Sequence, residues 1–325
     1  MINFYSKNSI GYKVMNHDNN YGDITASGGL RLPSLSVVIP YYEAWNTINQ
    51  TLGYLLNACK AIDSEIILVD DGSAKYPAET IINVDFKKMI KVVRLSKNVG
   101  RSITRNRGLR ESKNEIVAFM DADMIMPAGL IEKHLKLQNY FKNKKGGCIT
   151  FSLFNNVGMV DWELSVDKKI LFNETNDFRN ECLYQPSWIG CEKDREYIGN
   201  KYKILEDTDY LKKWPLNKSF GPWLLPNMIL GGFFTVNRDE AVKVGGFSNS
   251  FKNYGFTETS VSTKIIAKFG DYVVPVRFPY LLHLNDGGAA LSQSDRDFYF
   301  RQAHHLFFEI YLKQDLEKTI KNEKI

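Results

Sequence analysis

The stretch EIVAFMDADMIMP, residues 115–127, decides the fold of this chain. After Glu115, the five residues 116–120 are apolar on both faces, as a buried parallel strand is, and the run stops at two carboxylates one residue apart. Three runs of the same kind lie upstream: LSVVI at 35–39, EIILV at 65–69 and IKVVRL at 90–95. Helical periodicity separates them, from Thr47 to Ile62 with apolar Ile48, Leu52, Leu55, Leu56 and Cys59, and from Ser102 to Glu111 after Gly100. The resulting β-α-β-α-β-α-β order predicts a doubly wound α/β sheet, whose ligand sits beyond the carboxyl ends of the strands.

Composition narrows the class. The 325 residues are 44% hydrophobic and 24% charged, enough apolar material for a large core. The net charge of +5 comes from 42 basic and 37 acidic residues dispersed along the chain, which is a poor match to a nucleic-acid surface and compatible with a crevice that receives phosphate. Cys59, Cys148, Cys182 and Cys191 form no Cys-x-x-Cys pair, so reduced thiols and a cytoplasmic setting, at the inner face of a membrane, are expected. MINFYSKNSIGYKVMNHDNN lacks the apolar core of a signal peptide, and no stretch reaches the ~18 apolar residues of a membrane helix.

Residues 1–33 read as an N-terminal extension wrapped on the surface or partly mobile. Residues 34–290 read as the main domain, with a nucleotide-binding half at 34–150 and an acceptor-binding half at 151–290. Residues 153–225 are irregular and aromatic, as substrate loops are. A short strand is expected at Tyr272–Pro275, and residues 291–325 form a C-terminal helical segment that packs on the domain, or mediates a homodimer or peripheral membrane contact.

Asp121 and Asp123 follow their strand directly, so the sheet edge presents both to the crevice, where they can share a hard divalent cation with ligand phosphates. Asp70-Asp71-Gly72-Ser73 follows the second strand in the same way, where a carboxylate can accept from a base N–H or a ribose hydroxyl and Gly72 permits the turn. Pro40-Tyr41-Tyr42-Glu43 ends the first strand, with aromatics able to stack on a base. His304 and His305 are adjacent on a helix, point about 100° apart and are structural.

With these residues in place the chain resembles family 2 glycosyltransferases of the GT-A fold, from about Leu35 to Asp286. The resemblance rests on VVIPYYE at 37–43, VDDGS at 69–73, NVGRSITRNRGL at 98–109, FMDADMIMP at 119–127, GGFFTVNRDEAVKVGGF at 231–247 and YGFTETSVSTK at 254–264. It implies a GT-A type doubly wound mixed sheet flanked by helices, with an irregular acceptor region and a C-terminal helical extension. It implies an inverting, Mn²⁺- or Mg²⁺-dependent transfer from a nucleotide-sugar, UDP-sugar favoured, to a saccharide, lipid-linked or peptide acceptor, in surface polysaccharide or glycoconjugate synthesis.

Carried residue by residue, the resemblance puts Pro40, Tyr42 and Glu43 along the nucleoside, Asp71 on the base, and Arg105 at the base or phosphates. Asp121, with Ala122, would face the ribose or metal and Asp123 would ligate the metal. Gly231 and Gly232 would let backbone approach the donor sugar. Members carry Glu-Asp where this chain has Thr257-Glu258, so Glu258 would be the catalytic base and Thr257 would stand beside the acceptor, with Trp223. His283 would supply a further metal ligand or, alternatively, is a hydrogen-bonded histidine near the core. Three rivals are a nucleotidyltransferase, a Rossmann dehydrogenase and a catalytically impaired nucleotide-sugar-binding protein. PYYEAWN at 40–46 lacks the Gly-rich lysine loop of the first and the Gly-x-Gly-x-x-Gly turn of the second. Thr257 is the feature that invites the third.

Overall fold

The structure is a computed structural model that describes residues 10–15, 17, 19, 31–144, 146–177, 179, 226, 228–285, 292–312 and 314–323. After the short helix α1 (Ile10–Met15) come β1 (Leu35–Tyr41), α2 (Ile48–Cys59), β2 (Ser64–Asp70), the single turns α3 (Ala78–Ile81) and α4 (Val84–Lys87), and β3 (Lys91–Arg94). There follow α5 (Arg101–Glu111), β4 (Ile116–Met120), β5 (Met124–Ile125), α6 (Leu130–Lys144), β6 (Cys148–Gly158), α7 (Met159–Leu164) and α8 (Lys168–Leu171). Then come β7 (Phe233–Asn237), α9 (Arg238–Lys243), α10 (Thr257–Phe269), β8 (Tyr272–Asn285), α11 (Gln293–Phe307), a π-turn at Phe308–Leu312 and α12 (Leu316–Asn322).

The strands form one mixed sheet in the order β3-β2-β1-β4-β7-β6-β8-β5. β3, β2, β1 and β4 run parallel, and β7 pairs antiparallel with both β4 and β6. The chain winds outward through β1, β2 and β3 and returns to β4 on the other side of β1. That reversal opens a crevice at the carboxyl ends of β1 and β4, the place where such sheets bind ligands.

Alternate side chains feed two cores. Val38, Val117, Phe119 and Phe234 face α5, α10 and the C-terminal helices, while Val37, Ile39, Ala118 and Met120 face α2 and α6. α5 lies hard against the sheet, because a Cβ on its Gly108 would stand 2.2 Å from Val38 Cγ1.

Two expectations are corrected. The described residues of the N-terminal extension do not all lie on the surface: Ile10 and Val14 are fully buried, and Asn19 bonds both the N–H and the C=O of Val273 at 2.7 and 3.1 Å. The expected strand at 272–275 runs on to Asn285. Prolines normally end a strand, but Pro279 falls at 277–280, where β8 has no ladder partner on β6 opposite a bulge at Ser152/Phe154, so no ladder hydrogen bond is lost there.

At the other end, Phe307, Tyr311 and Leu316 enter the same core as Phe251 and Phe256. Fully buried Lys264 of α10 is paired with Glu323 at 2.6 Å; burial pulls the ammonium pKa down and Glu323 opposes that shift. Cys59 and Cys148 are buried free thiols. Among the described residues, no helix is long and apolar enough to cross a membrane.

Candidate active site

The aspartates after β4 are held by their neighbours' backbone. Asp121 N–H donates to Gly232 O at 3.3 Å, Leu284 N–H donates to Asp123 O at 2.9 Å, and the Thr47 and Thr51 hydroxyls both donate to Ala122 O, at 3.0 and 2.9 Å. Two helix N-terminal threonines, β7 and β8 thus set the turn. Ala122 itself is buried, and its carbonyl is consumed by this support.

Around the turn, one nitrogen joins two carboxylates. Arg105 Nη2 lies 2.7 Å from Asp121 Oδ1 and 2.9 Å from Glu258 Oε1. Glu258 sits in the first turn of α10, over 130 residues from Asp121 in the chain, so the guanidinium is what brings the candidate base to the strand-end aspartate. Burial works against the charge of Asp121; Arg105, Arg101 and His283 outweigh it and hold its carboxyl below the usual range. Gly231 is required by this arrangement, since a Cβ there would lie 2.6 Å from Asp121 Oδ2 and 2.9 Å from Glu258 Oε1. Gly232 is nearly as confined, by Met124 and Phe154 at 3.0 and 3.2 Å.

Asp123 and His283 form a second pair, with Nε2 3.2 Å from Oδ2. β5 pairs with β8 so that Met124 stands opposite His283, which delivers the imidazole to the aspartate. Asn156 of β6 fixes its tautomer. The Asn156 amide NH₂ donates to Asn176 Oδ1 at 3.1 Å, which leaves Asn156 Oδ1 facing His283 Nδ1 at 2.8 Å, so Nδ1 carries the hydrogen. Nε2 and the carboxylate are then two acceptors face to face, an arrangement that needs a proton or a metal cation between them. Asp123 Oδ1 is buried without a partner. Burial opposes protonation of His283, and Asp123 with Asp121 raises its pKa. The residues present therefore fit a divalent ion. No group of three His, Cys, Asp or Glu side chains converges among the described residues, so phosphate and water oxygens would complete the shell.

Other expected residues lie elsewhere along the crevice. Tyr42 is 51% exposed at the end of β1, Pro40 is half-buried, and Tyr41 is buried with its hydroxyl donating to Tyr76 O at 2.7 Å. Glu43 accepts from the backbone N–H groups of Ala74, Lys75 and Tyr76 at 2.7–2.9 Å. Desolvation opposes the Glu43 charge, and these bonds lower its pKa. Asp71 accepts from Val99 and Gly100 N–H at 2.8 and 3.0 Å, at the start of α5, while burial raises its pKa overall. Arg105, expected at the base or phosphates, is fully buried. Thr257 is 2% exposed and so is withdrawn from the crevice. Trp223 lies outside the described residues.

Sequence reasoning passed over Arg101 and Asn156. Arg101 begins α5 and is exposed over the carboxylates. Asn156 lies near the end of β6 with no motif around it; only the strand register brings it to His283.

The profile of glycosyl transferase family 2 matches residues 36–174, which contain β1 through α8. A Haemophilus influenzae glycosyltransferase is 32% identical over 114 residues, 34% of this chain and 45% of that protein. The poly(ribitol-phosphate) beta-N-acetylglucosaminyltransferase TarP of Staphylococcus aureus is 30% identical over 120 residues, 36% of each chain. The aligned part thus spans less than half the length of either relative. The mannosyltransferase PcManGT of Pyrobaculum calidifontis, solved with GDP-Man and Mn²⁺, superposes with a TM-score of 0.49 at 16% identity, over 89% of this chain and 63% of that one. The segment that carries β2, β4 and the paired aspartates is thus the part of the chain that is similar to glycosyl transferase family 2.

Proposed function

We propose that this protein is a metal-dependent, inverting glycosyltransferase that moves a sugar from a nucleotide-sugar, UDP-sugar favoured, to an acceptor hydroxyl in surface polysaccharide or glycoconjugate synthesis. The observation that carries this reading is the guanidinium of Arg105 holding Asp121 and Glu258 side by side. It sets a proton acceptor beside the aspartates that face the donor, the spacing a single displacement requires.

In this reading Tyr42, Pro40, Glu43 and Asp71 line the nucleoside, the last two mainly by fixing loops. Asp121 faces the ribose. Asp123 and His283 Nε2 are the atoms that would hold Mn²⁺ or Mg²⁺, whose chemistry there is to neutralise charge growing on the leaving diphosphate. Gly231 and Gly232 leave room for the donor sugar. Glu258 takes the acceptor's proton as its oxygen attacks the anomeric carbon from the face opposite the diphosphate, so configuration inverts and no covalent sugar–enzyme species forms. A positioning role for Arg105 follows, since without it two carboxylates would repel one another across the reacting centre.

The test is calorimetric titration of UDP, GDP and CDP with and without Mn²⁺, followed by transfer assays with the donor of the nucleotide that binds. Glu258→Gln is expected to bind nucleotide like the unaltered protein and lose about 10²–10⁴-fold in turnover. Undiminished transfer by that variant removes the base assignment, and no nucleotide binding at all removes the donor reading.

A further inference from the structure

We propose that Arg101 is the side chain that meets the diphosphate of the nucleotide donor, in the place the sequence suggested for Arg105; the inference rests on the nucleotide-sugar reading above and adds a residue to it.

Arg105 is unable to do this work. Its side chain is fully enclosed, its Nη2 is engaged by Asp121 and Glu258, and Phe247 lies 5.7 Å from its Cζ. Nε and Nη1 are buried as well, without partners. A guanidinium with no solvent-facing nitrogen offers nothing to a ligand entering the crevice.

Arg101 has the complementary properties. It stands four residues before Arg105 in α5, so the two side chains share a face of the helix, and Arg101 lies one turn nearer the carboxyl edge of the sheet. It is exposed, and among the described residues it makes no ion pair. Partial desolvation beside the crevice works against its charge, while Asp121, Glu258, Asp123 and Tyr254 raise its pKa above the ordinary arginine value, so it is a permanent cation near the carboxylates.

Charge balance asks for such a cation. Asp121, Asp123 and Glu258 bring three carboxylates to the crevice, against which Arg105 sets one positive charge that is already shared. A diphosphate adds more negative charge, and a cation held by Asp123 and His283 touches only part of it. A planar guanidinium can pair two phosphate oxygens at once, which a lysine cannot do. The two arginines of one helix face therefore divide the labour: the inner one assembles the carboxylates, and the outer one receives the ligand.

The experiment compares UDP with UMP by calorimetry in the presence of Mn²⁺, with GDP and GMP in parallel, for the full chain and for Arg101→Met, Arg101→Lys and Arg110→Met. Arg110, exposed in the last turn of α5, controls for a general change in charge. Arg101→Met is expected to weaken the diphosphate by about tenfold or more and the monophosphate much less, a charge-assisted bond being of that order. Arg101→Lys should recover part of the loss, Arg110→Met should bind normally, and all three should keep their thermal midpoint. Equal diphosphate affinity in Arg101→Met and the unaltered protein overturns the inference, and a raised KM for the acceptor alone would move Arg101 to the acceptor side and overturn it too. If the unaltered protein binds neither UDP nor GDP, the donor reading falls first and this inference falls with it.

Discussion

Two clusters of acidic side chains close the carboxyl edge of the sheet, and they are built in opposite ways. Around the loop after β2, three carboxylates are held by backbone: Asp70 accepts from Ser73 and Ala78 N–H at 2.8 and 2.9 Å, Asp71 from two residues at the start of α5, and Glu43, just after β1, from three consecutive N–H groups of that loop. After β4, Asp121 and Glu258 share one guanidinium nitrogen, and Asp123 Oδ1 is buried without a partner. Buried polar groups are normally paired, so unpaired ones mark where a ligand or ion completes the structure. The difference teaches that identical residue types at equivalent strand ends serve as scaffold in one place and, in the proposed function, as the reactive centre in the other.

The contrast can be broken experimentally. The largest effect is expected for Arg105→Met, which leaves Asp121 and Glu258 without their shared cation; removing one partner from a buried charge cluster costs about 3–5 kcal/mol, read by urea unfolding. A loss below about 1 kcal/mol would mean that the carboxylates do not depend on it.

Next comes a pH test of a fully paired group under the other half of the sheet. Fully buried His134 bonds Thr150 and Ser152 at 2.6 and 2.7 Å, and burial pulls its pKa from 6.5 down to about 3. The unfolded chain takes up a proton below pH 6.5 that the folded chain refuses until about pH 3, so this stability is complete above pH 6.5 and is lost as pH falls. The slope is about 1.4 kcal/mol per pH unit between those limits, and it should be missing in His134→Gln when both proteins are unfolded across pH 4–7.

The smallest effects sharpen the comparison most. Asp70→Asn replaces an acceptor by a donor opposite a backbone N–H and should cost about 1–3 kcal/mol. Asp123→Asn should change stability by less than about 0.5 kcal/mol while abolishing Mn²⁺-dependent nucleotide binding. Equal costs at the two positions would erase the distinction between scaffold and site.

Much of this was legible in the sequence. The runs at 35–39, 65–69, 90–95 and 115–120 all became strands; β1, β2 and β4 carry the apolar signature of residues buried on both faces, while the edge strand β3 is only half-buried. The strand-end aspartates and paired glycines followed from that frame. The ranking of Arg101 and Arg105 did not, since two cations four apart on a helix look alike until the distance to β4 is known. Asn156 was silent because its partner His283 comes from cross-strand register 127 residues away. The full extent of β8 was hidden by Pro275 and Pro279, which read as strand ends; Pro275 stands in the ladder opposite Phe151, and Pro279 falls in the unpaired stretch opposite the bulge.

The ion pair between Lys264 and Glu323 also imposes an order in time. α10 carries Glu258, yet the ammonium buried in its middle is neutralised by a residue 59 positions later in the chain. During synthesis at about 5–20 residues per second, that helix waits several seconds for its counter-charge, with the ammonium kept in water until Glu323 has emerged from the ribosome. The aspartates are translated early, but the counter-charge that lets the helix carrying Glu258 bury its lysine is translated 59 residues after that lysine.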